Sequence, residues 1–226
     1  NPANPIIGTR ALSDIPEWVG RMGKAVIAGI QEAGVFPVGK HFPGHGDTDR
    51  DSHLELPYVN RDADSLEKVE LEPFAQAVSH GLKVIMTAHV IYSAWDNKLP
   101  ATFSPIILKS ILREKLGFDG LVITDDLEMK AVGENIPFKS IPRLGSIAGV
   151  DLYLICHDRK KTLSLQNQMI QDIEMGHIDK KLIELSAQRI IDFKKQIPST
   201  SHGKENLSDL ARDHIELIRE MKSHLP

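Results

Sequence analysis

The densest gathering of proton-transferring and ligand-bearing side chains in the chain is Lys40-His41-Phe42-Pro43-Gly44-His45-Gly46-Asp47-Thr48-Asp49-Arg50-Asp51-Ser52-His53. Pro43, Gly44 and Gly46 make it a turn-rich loop rather than a helix. Three chemistries compete for it. A solvated surface loop is the plainest, but a Lys-His pair at the end of a buried apolar run is costly without a polar role. Metal binding is the second. Asp47, Asp49 and Asp51 have the spacing of the first three ligands of a calcium loop, yet Ser52 stands where Gly is needed and Tyr58 where the bidentate Glu belongs. His41 and His45 would face one way on a helix, which Pro43 and Gly44 oppose. The third is acid–base catalysis. Asp51 and His53 alternate in an extended segment and project to one side, where the carboxylate could fix the imidazole's tautomer and raise its basicity.

Other candidates lie further on. Thr124-Asp125-Asp126 follows the apolar run Gly-Leu-Val-Ile, and an Asp there can be a nucleophile, a base, a metal ligand or a helix cap. His89, after Thr87-Ala88, suits a substrate contact or a structural hydrogen bond equally. His157-Asp158 reads as structural. Trp18 is expected in the core, and Trp95 on the rim of a pocket. Cys156, the single cysteine, ends an apolar run and is expected to be a small buried hydrophobe.

These groups need elements to position them. Four short runs rich in Val, Ile and Leu, at Gly34–Gly39, Val84–Met86, Gly120–Ile123 and Val150–Ile155, read as parallel strands buried on both faces. Helical patterns alternate with them: Ser13–Glu32 with Pro16 in its first turn, Ser65–Ser79, Ser104–Leu116 behind a Ser cap, Lys160–Met175 and Lys180–Lys195. Gln196–Asn206 reads as a loop, and Leu207–Lys222 as an amphipathic helix. Alternation of this kind implies an α/β fold with a parallel sheet. Each strand runs into polar residues, as expected at the C-terminal face of a (β/α)8 TIM-type barrel; a doubly wound sheet would gather ligands only at its switch point. A complete barrel takes eight strands in about 250 residues. Only four strands are found in 226 residues, so the expectation is the C-terminal half of a barrel over residues 1–195, then a linker and a short helix over 196–226.

Composition narrows the partners. Charged residues of both signs are interspersed at a net charge of −4, so nothing suggests a nucleic-acid or anionic-membrane surface, and no run of 18 apolar residues exists to cross a bilayer. The start, Asn1-Pro2-Ala3-Asn4-Pro5, has no initiator Met, basic segment or apolar signal core; the chain reads as cut from something longer, and compartment is not legible.

Taken together, several stretches resemble glycoside hydrolase family 3, in its single-domain bacterial β-N-acetylglucosaminidases. They are Asn4-Pro5-Ile6-Ile7-Gly8-Thr9-Arg10, Lys40–Gly46 with Asp51-Ser52-His53, Met86-Thr87-Ala88-His89, Leu116-Gly117-Phe118-Asp119-Gly120, Thr124–Met129 and Gly149–His157. The family's β-glucosidase branch shares the Lys-His but not the Asp-Ser-His. The resemblance implies Asp125 as nucleophile, His53 as general acid/base with Asp51 as its dyad partner, and Lys40, His41 and Arg10 as sugar-binding residues. It implies retaining hydrolysis of terminal β-linked N-acetylglucosamine from muropeptides or chitin-type fragments, with no cofactor and no metal. An imidazole with an ordinary pKa of about 6.5 can donate and accept protons near neutrality. Being neutral, it would also repel phosphate less than a carboxylate does, so sugar 1-phosphate is a second conceivable product. A metal-dependent hydrolase using the His/Asp loop, or a non-catalytic sugar-binding remnant, are the alternatives. The family also implies a preceding half-barrel, without which strand edges and apolar core would be exposed.

Overall fold

A computed structural model of the chain describes residue 4 and residues 7–48, 56–197 and 207–223. The sheet that carries the candidate groups has four parallel strands, β1 (Val38–Phe42), β3 (Val84–Thr87), β5 (Leu121–Asp126) and β6 (Leu152–Leu154), in the order β1-β3-β5-β6. Two further strands, β2 (Tyr58–Val59) and β4 (Ile91–Tyr92), form a small parallel pair that the sequence reading missed. Sheet order follows chain order without a reversal, which is barrel winding and not the doubly wound alternative. The fold is α/β, as expected, with the parallel sheet of a partial barrel.

The strands lie somewhat later than expected. Gly34, at φ +74°, ends the turn after helix α1 (Pro16–Glu32). Pro37 has no N–H for the ladder, so pairing begins only at Val38. Lys40 and His41 are consequently in β1 and not beyond it, and Thr124-Asp125-Asp126 is likewise the end of β5. The strand β1 contains a cis peptide at Lys40–His41, and Phe42–Pro43 is also cis.

The connections follow their caps. Asp62 accepts from Ser65 N at 2.8 Å and starts α2 (Ala63–Leu66), two residues before the expected start at Ser65. A π-helical stretch, Glu67–Leu71, then leads into α3 (Glu72–Ser79). Pro73 explains the π turn: it cannot donate and its ring crowds the carbonyl four residues back, so the chain widens there. Ser104 caps the next helix, Ile106–Lys115, as expected, and Gly117 at φ +69° stops it. Beyond β5 come α4 (Lys130–Gly133) and α5 (Ile141–Ala148); beyond β6 come α6 (Arg159–Glu174) and α7 (Lys180–Lys194), capped by Asp158 and Asp179; α8 is Leu207–Ser223. Among the described residues no helix is long and apolar enough to cross a membrane.

One core lies between the sheet and the helices, with Ile85 and Val122 from adjacent strands packed on Leu108 and Leu112. Helix α1 meets α3 through buried Gly20, where a Cβ would lie 2.1 Å from Gln76 Oε1. This orientation turns Trp18 outward, stacked under the Arg21 guanidinium, so the expectation of a core Trp18 is corrected. Cys156 is corrected too: it is exposed, because the sheet ends at Leu154 and the chain emerges at the rim. Burial pressure and the Asp126 and Asp125 carboxylates raise its thiol pKa. Trp95 packs against the core beside Tyr92.

The sheet is anchored below by Asp151, whose carboxylate is wholly buried. Oδ2 accepts from Arg113 and from Val122 N, both at 2.9 Å; Oδ1 accepts from Ser186 and Arg189, each at 2.8 Å. Phe193 of the same α7 meets Phe36, ahead of β1, at 4.6 Å between ring centroids. Helix α7 thus lies under the N-terminal ends of the sheet, touching the segments that lead into both edge strands. Removing one partner of such a cluster leaves buried charges uncompensated. In the full-length protein Asp151→Ala should cost about 3–5 kcal/mol of stability in urea denaturation; a loss below about 1 kcal/mol would mean that the cluster does not anchor α7.

Candidate active site

The C-terminal ends of β1, β3 and β5 bring the candidates together. His41 Nε2 lies 3.4 Å from Asp125 Oδ2, across the intervening strand. His41 is buried, and Lys40 and Arg10 are exposed cations whose charges act on its ring. Four of the expected site residues therefore share one patch. Asp51 and His53 lie outside the described residues.

Among the described residues, Asp125 receives a hydrogen bond on one oxygen. Its Oδ1 accepts from Asp126 N at 2.8 Å, while Oδ2 faces His41. Its side chain keeps 23% of its surface exposed, enough for a substrate atom to reach it. Asp126 is spent differently: its Oδ1 accepts from Glu128 N at 3.1 Å and Cys156 N at 3.3 Å, tying the end of β5 to the segment after β6. The paired Asp thus divide their work, and neither caps α4, whose N-cap position is Met129.

His89 sits beneath these two residues at 1% exposure. Its Nδ1 is 2.7 Å from Thr102 Oγ1 and its Nε2 3.2 Å from the Asp126 carbonyl. Both nitrogens meet protein groups, so the sugar contact expected of His89 is not what its ring is arranged for.

The loop after β1 is pinned from three directions. Buried Asn4 donates from Nδ2 to the carbonyls of His45 (2.8 Å) and Gly46 (3.2 Å) and to Thr48 Oγ1 (3.1 Å). Tyr92 donates to the Gly44 carbonyl at 2.7 Å. Arg61 bridges Glu70 at 3.1 Å and Asp47 at 3.5 Å. Gly44 is required there: φ is +142°, and a Cβ would lie 2.8 Å from Glu70. Burial, working against Arg61, raises the pKa of Glu70. The sequence reading assigned no role to Asn4, Tyr92, Arg61, Glu70 or Thr102; only Asn4 stood in a stretch that had drawn notice.

Of the residues named in the metal reading of the loop, Asp49, Asp51 and His53 lie outside the described residues, and His41, His45 and Asp47 are engaged with protein groups. His45 Nδ1 meets Thr48 Oγ1 at 2.9 Å and Asp47 meets Arg61. Among the described residues, the group able to converge on a cation is instead Asp126, Glu128 and His157, with ligand atoms within 4.8 Å of one another. Its carboxylates are already engaged: Glu128 accepts from His157 N at 2.6 Å and pairs with Lys161 at 3.3 Å.

Burial is the main cause that lowers the His41 pKa to about 4; Asp125 raises it, while His45, Lys40 and Arg10 lower it further. His41 is neutral at pH 7, and its Nδ1 is buried without a hydrogen-bond partner.

Comparison with known proteins identifies the family. The family described as Glycosyl hydrolase family 3 N terminal domain matches residues 1–193, and the chain belongs to that family. It is 38% identical to the "Beta-hexosaminidase" of Alkalilimnicola ehrlichii, over 88% of this chain and 57% of that protein. Among solved structures, a glycoside hydrolase family 3 β-N-acetylglucosaminidase from Paenibacillus sp. str. FPU-7 superimposes with a TM-score of 0.86 at 36% identity, over 91% of this chain and 40% of that one. The β-N-acetylglucosaminidase from Thermotoga maritima gives 0.81 at 34%, over 88% and 43%. The chain spans about half the length of the curated relatives it matches, 57% and 55% for two of them.

The depressed His41 pKa has a consequence for stability. Unfolded, the imidazole takes up its proton near pH 6.5; folded, only near pH 4. Between those values the unfolded state binds more protons, so stability should fall as pH is lowered through this window and be independent of this group above it. Chemical denaturation of the full-length protein at pH 7 and pH 5 should show the loss, and His41→Gln should reduce it; an unchanged difference would place the proton uptake elsewhere.

Proposed function

We propose that the protein is a retaining glycosidase that removes terminal β-linked N-acetylglucosamine from muropeptide or chitin-type fragments, with Asp125 as nucleophile. The observation that carries this reading is the Asp125 carboxylate itself, oriented by the Asp126 N–H, accessible on one side and bordered by a neutral His41. Relatives named β-hexosaminidase and β-N-acetylglucosaminidase support the substrate class. In the first step Asp125 attacks the anomeric carbon while the leaving oxygen takes a proton from His53, whose ring Asp51 orients. In the second, water deprotonated by His53 releases the sugar with retained configuration. Lys40, His41 and Arg10 bind sugar hydroxyls. The roles of Asp51 and His53 rest on the family resemblance. No step calls for a metal or a cofactor.

Residues 1–195 form the C-terminal part of the catalytic barrel, and 196–226 a linker and terminal helix. The barrel is completed by a preceding segment of the longer protein. Support comes from the greater length of the relatives, from exposed apolar residues at the cap and on one face of α1, Ile15, Trp18, Met22 and Val26, and from exposed Val38 on β1.

The test uses the full-length protein with an aryl β-N-acetylglucosaminide. Asp125→Ala should lower kcat by about three orders of magnitude or more, and chelator should leave the unmodified enzyme unaffected. Retained turnover in that variant would remove the nucleophile assignment, and inactivation by chelator would favour the metal-dependent alternative.

A further inference from the structure

The polar groups below Asp125 form a chain whose hydrogen bonds have one consistent direction. The Asp126 carbonyl can only accept, so His89 Nε2 carries the ring proton in that 3.2 Å contact. A neutral His89 then has a bare Nδ1, which accepts from the Thr102 hydroxyl at 2.7 Å. That uses the one proton of Thr102, leaving its oxygen to accept from Thr87 Oγ1 at 2.9 Å. The Ala88 carbonyl, at 3.1 Å from Thr102, is the weaker alternative for that proton. Thr87 and Thr102 are wholly buried, and His89 nearly so. Burial lowers the His89 pKa, in keeping with a neutral ring, although the Asp125 charge and the backbone of Asp125 and Asp126 raise it.

The chain ends on the backbone that holds the nucleophile. The carbonyl of Asp126 receives His89, and the N–H of the same residue donates to Asp125 Oδ1 at 2.8 Å. Thr102 and Thr87 are wholly buried, where an unmatched hydroxyl is destabilising, and each finds its partner within this chain or, for Thr102, at the Ala88 carbonyl. We infer that Thr87, Thr102 and His89 are positioning residues for Asp125, fixing through the Asp126 backbone the direction from which its carboxylate meets the anomeric carbon. The Asp126 carbonyl, which can only accept, sets the tautomer of His89, and Thr102 completes the arrangement by giving its single proton to the bare Nδ1, so that the ring is held against that carbonyl. The inference rests on the proposed role of Asp125 and adds how that role is supported from beneath.

The experiment compares Thr102→Val, Thr102→Ser, His89→Gln and His89→Leu in the full-length protein. Turnover of an aryl β-N-acetylglucosaminide is measured beside the 15N chemical shifts of the His89 ring. The expected spectrum is Nε2–H with a bare Nδ1. Thr102→Val, which has the same shape but no hydroxyl, should lower kcat by about tenfold or more while KM stays within about twofold; Thr102→Ser should restore kcat. His89→Gln keeps a donor near the Nε2 position and should retain more kcat than His89→Leu, which keeps the inference testable should Thr102→Val fold poorly. Wild-type kcat in Thr102→Val, a loss confined to KM, or an Nδ1–H tautomer in the unmodified protein would each overturn it. Should Asp125→Ala prove fully active, the glycosidase reading fails, and the ring spectrum still decides whether the hydrogen-bond chain exists.

Discussion

The buried carboxylate of Asp151 is the constraint on which the sheet depends. It receives two guanidinium groups, a serine hydroxyl and the backbone N–H of Val122. A carboxylate without water is tolerated only where such partners compensate its lost hydration. The partners come from the helix Ile106–Lys115, from α7 and from β5, so satisfying one charge fixes three elements against the start of β6. Strand β5 is thereby held at its lower end, and its upper end delivers Asp125 and Asp126. Burial around His41 closes the upper end in a different way: it removes the charge instead of pairing it, so the ring beside Asp125 is neutral.

Much of this was legible before the structure. Helix ends followed local chemistry, and a cap such as Ser104 and a stop such as Gly117 do not depend on distant partners. The four main strands were recognisable because parallel strands buried on both faces are continuous apolar runs. Their polar ends pointed to one face because chain-order winding places every strand's C-terminal end there. The strand bounds were harder, since they depend on the neighbour: Pro37 cannot enter the ladder, so β1 starts late and takes Lys40 and His41 with it.

What stayed hidden is long-range. Asn4 reaches across 41 residues to His45, and Tyr92 across 48 to Gly44. No spacing rule predicts either bond, since both exist only once the chain has folded back. Trp18 and Cys156 were misplaced for a related reason. An aromatic on an amphipathic helix and a cysteine after an apolar run are each buried or exposed by their neighbours' positions, here Gly20 against α3 and the end of the sheet at Leu154.

Three aspartates show how surroundings divide one side chain among different tasks. Asp151 has both oxygens filled by protein donors, so it has no lone pair to offer and serves as an anchor. Asp126 gives Oδ1 to two backbone N–H groups and so joins the ends of β5 and β6. Asp125 has one backbone donor on Oδ1 and, at Oδ2, a neutral imidazole at 3.4 Å. A nucleophile must be fixed in direction yet keep electron density free for the atom that it attacks. Full pairing with a cation would remove that freedom, and full exposure would remove the direction. Asp151 fails the second requirement; Asp125 and Asp126 each keep Oδ2 open, and what separates them is the neighbour that Oδ2 faces, the buried His41 for Asp125 and the exposed His157, at 3.9 Å, for Asp126.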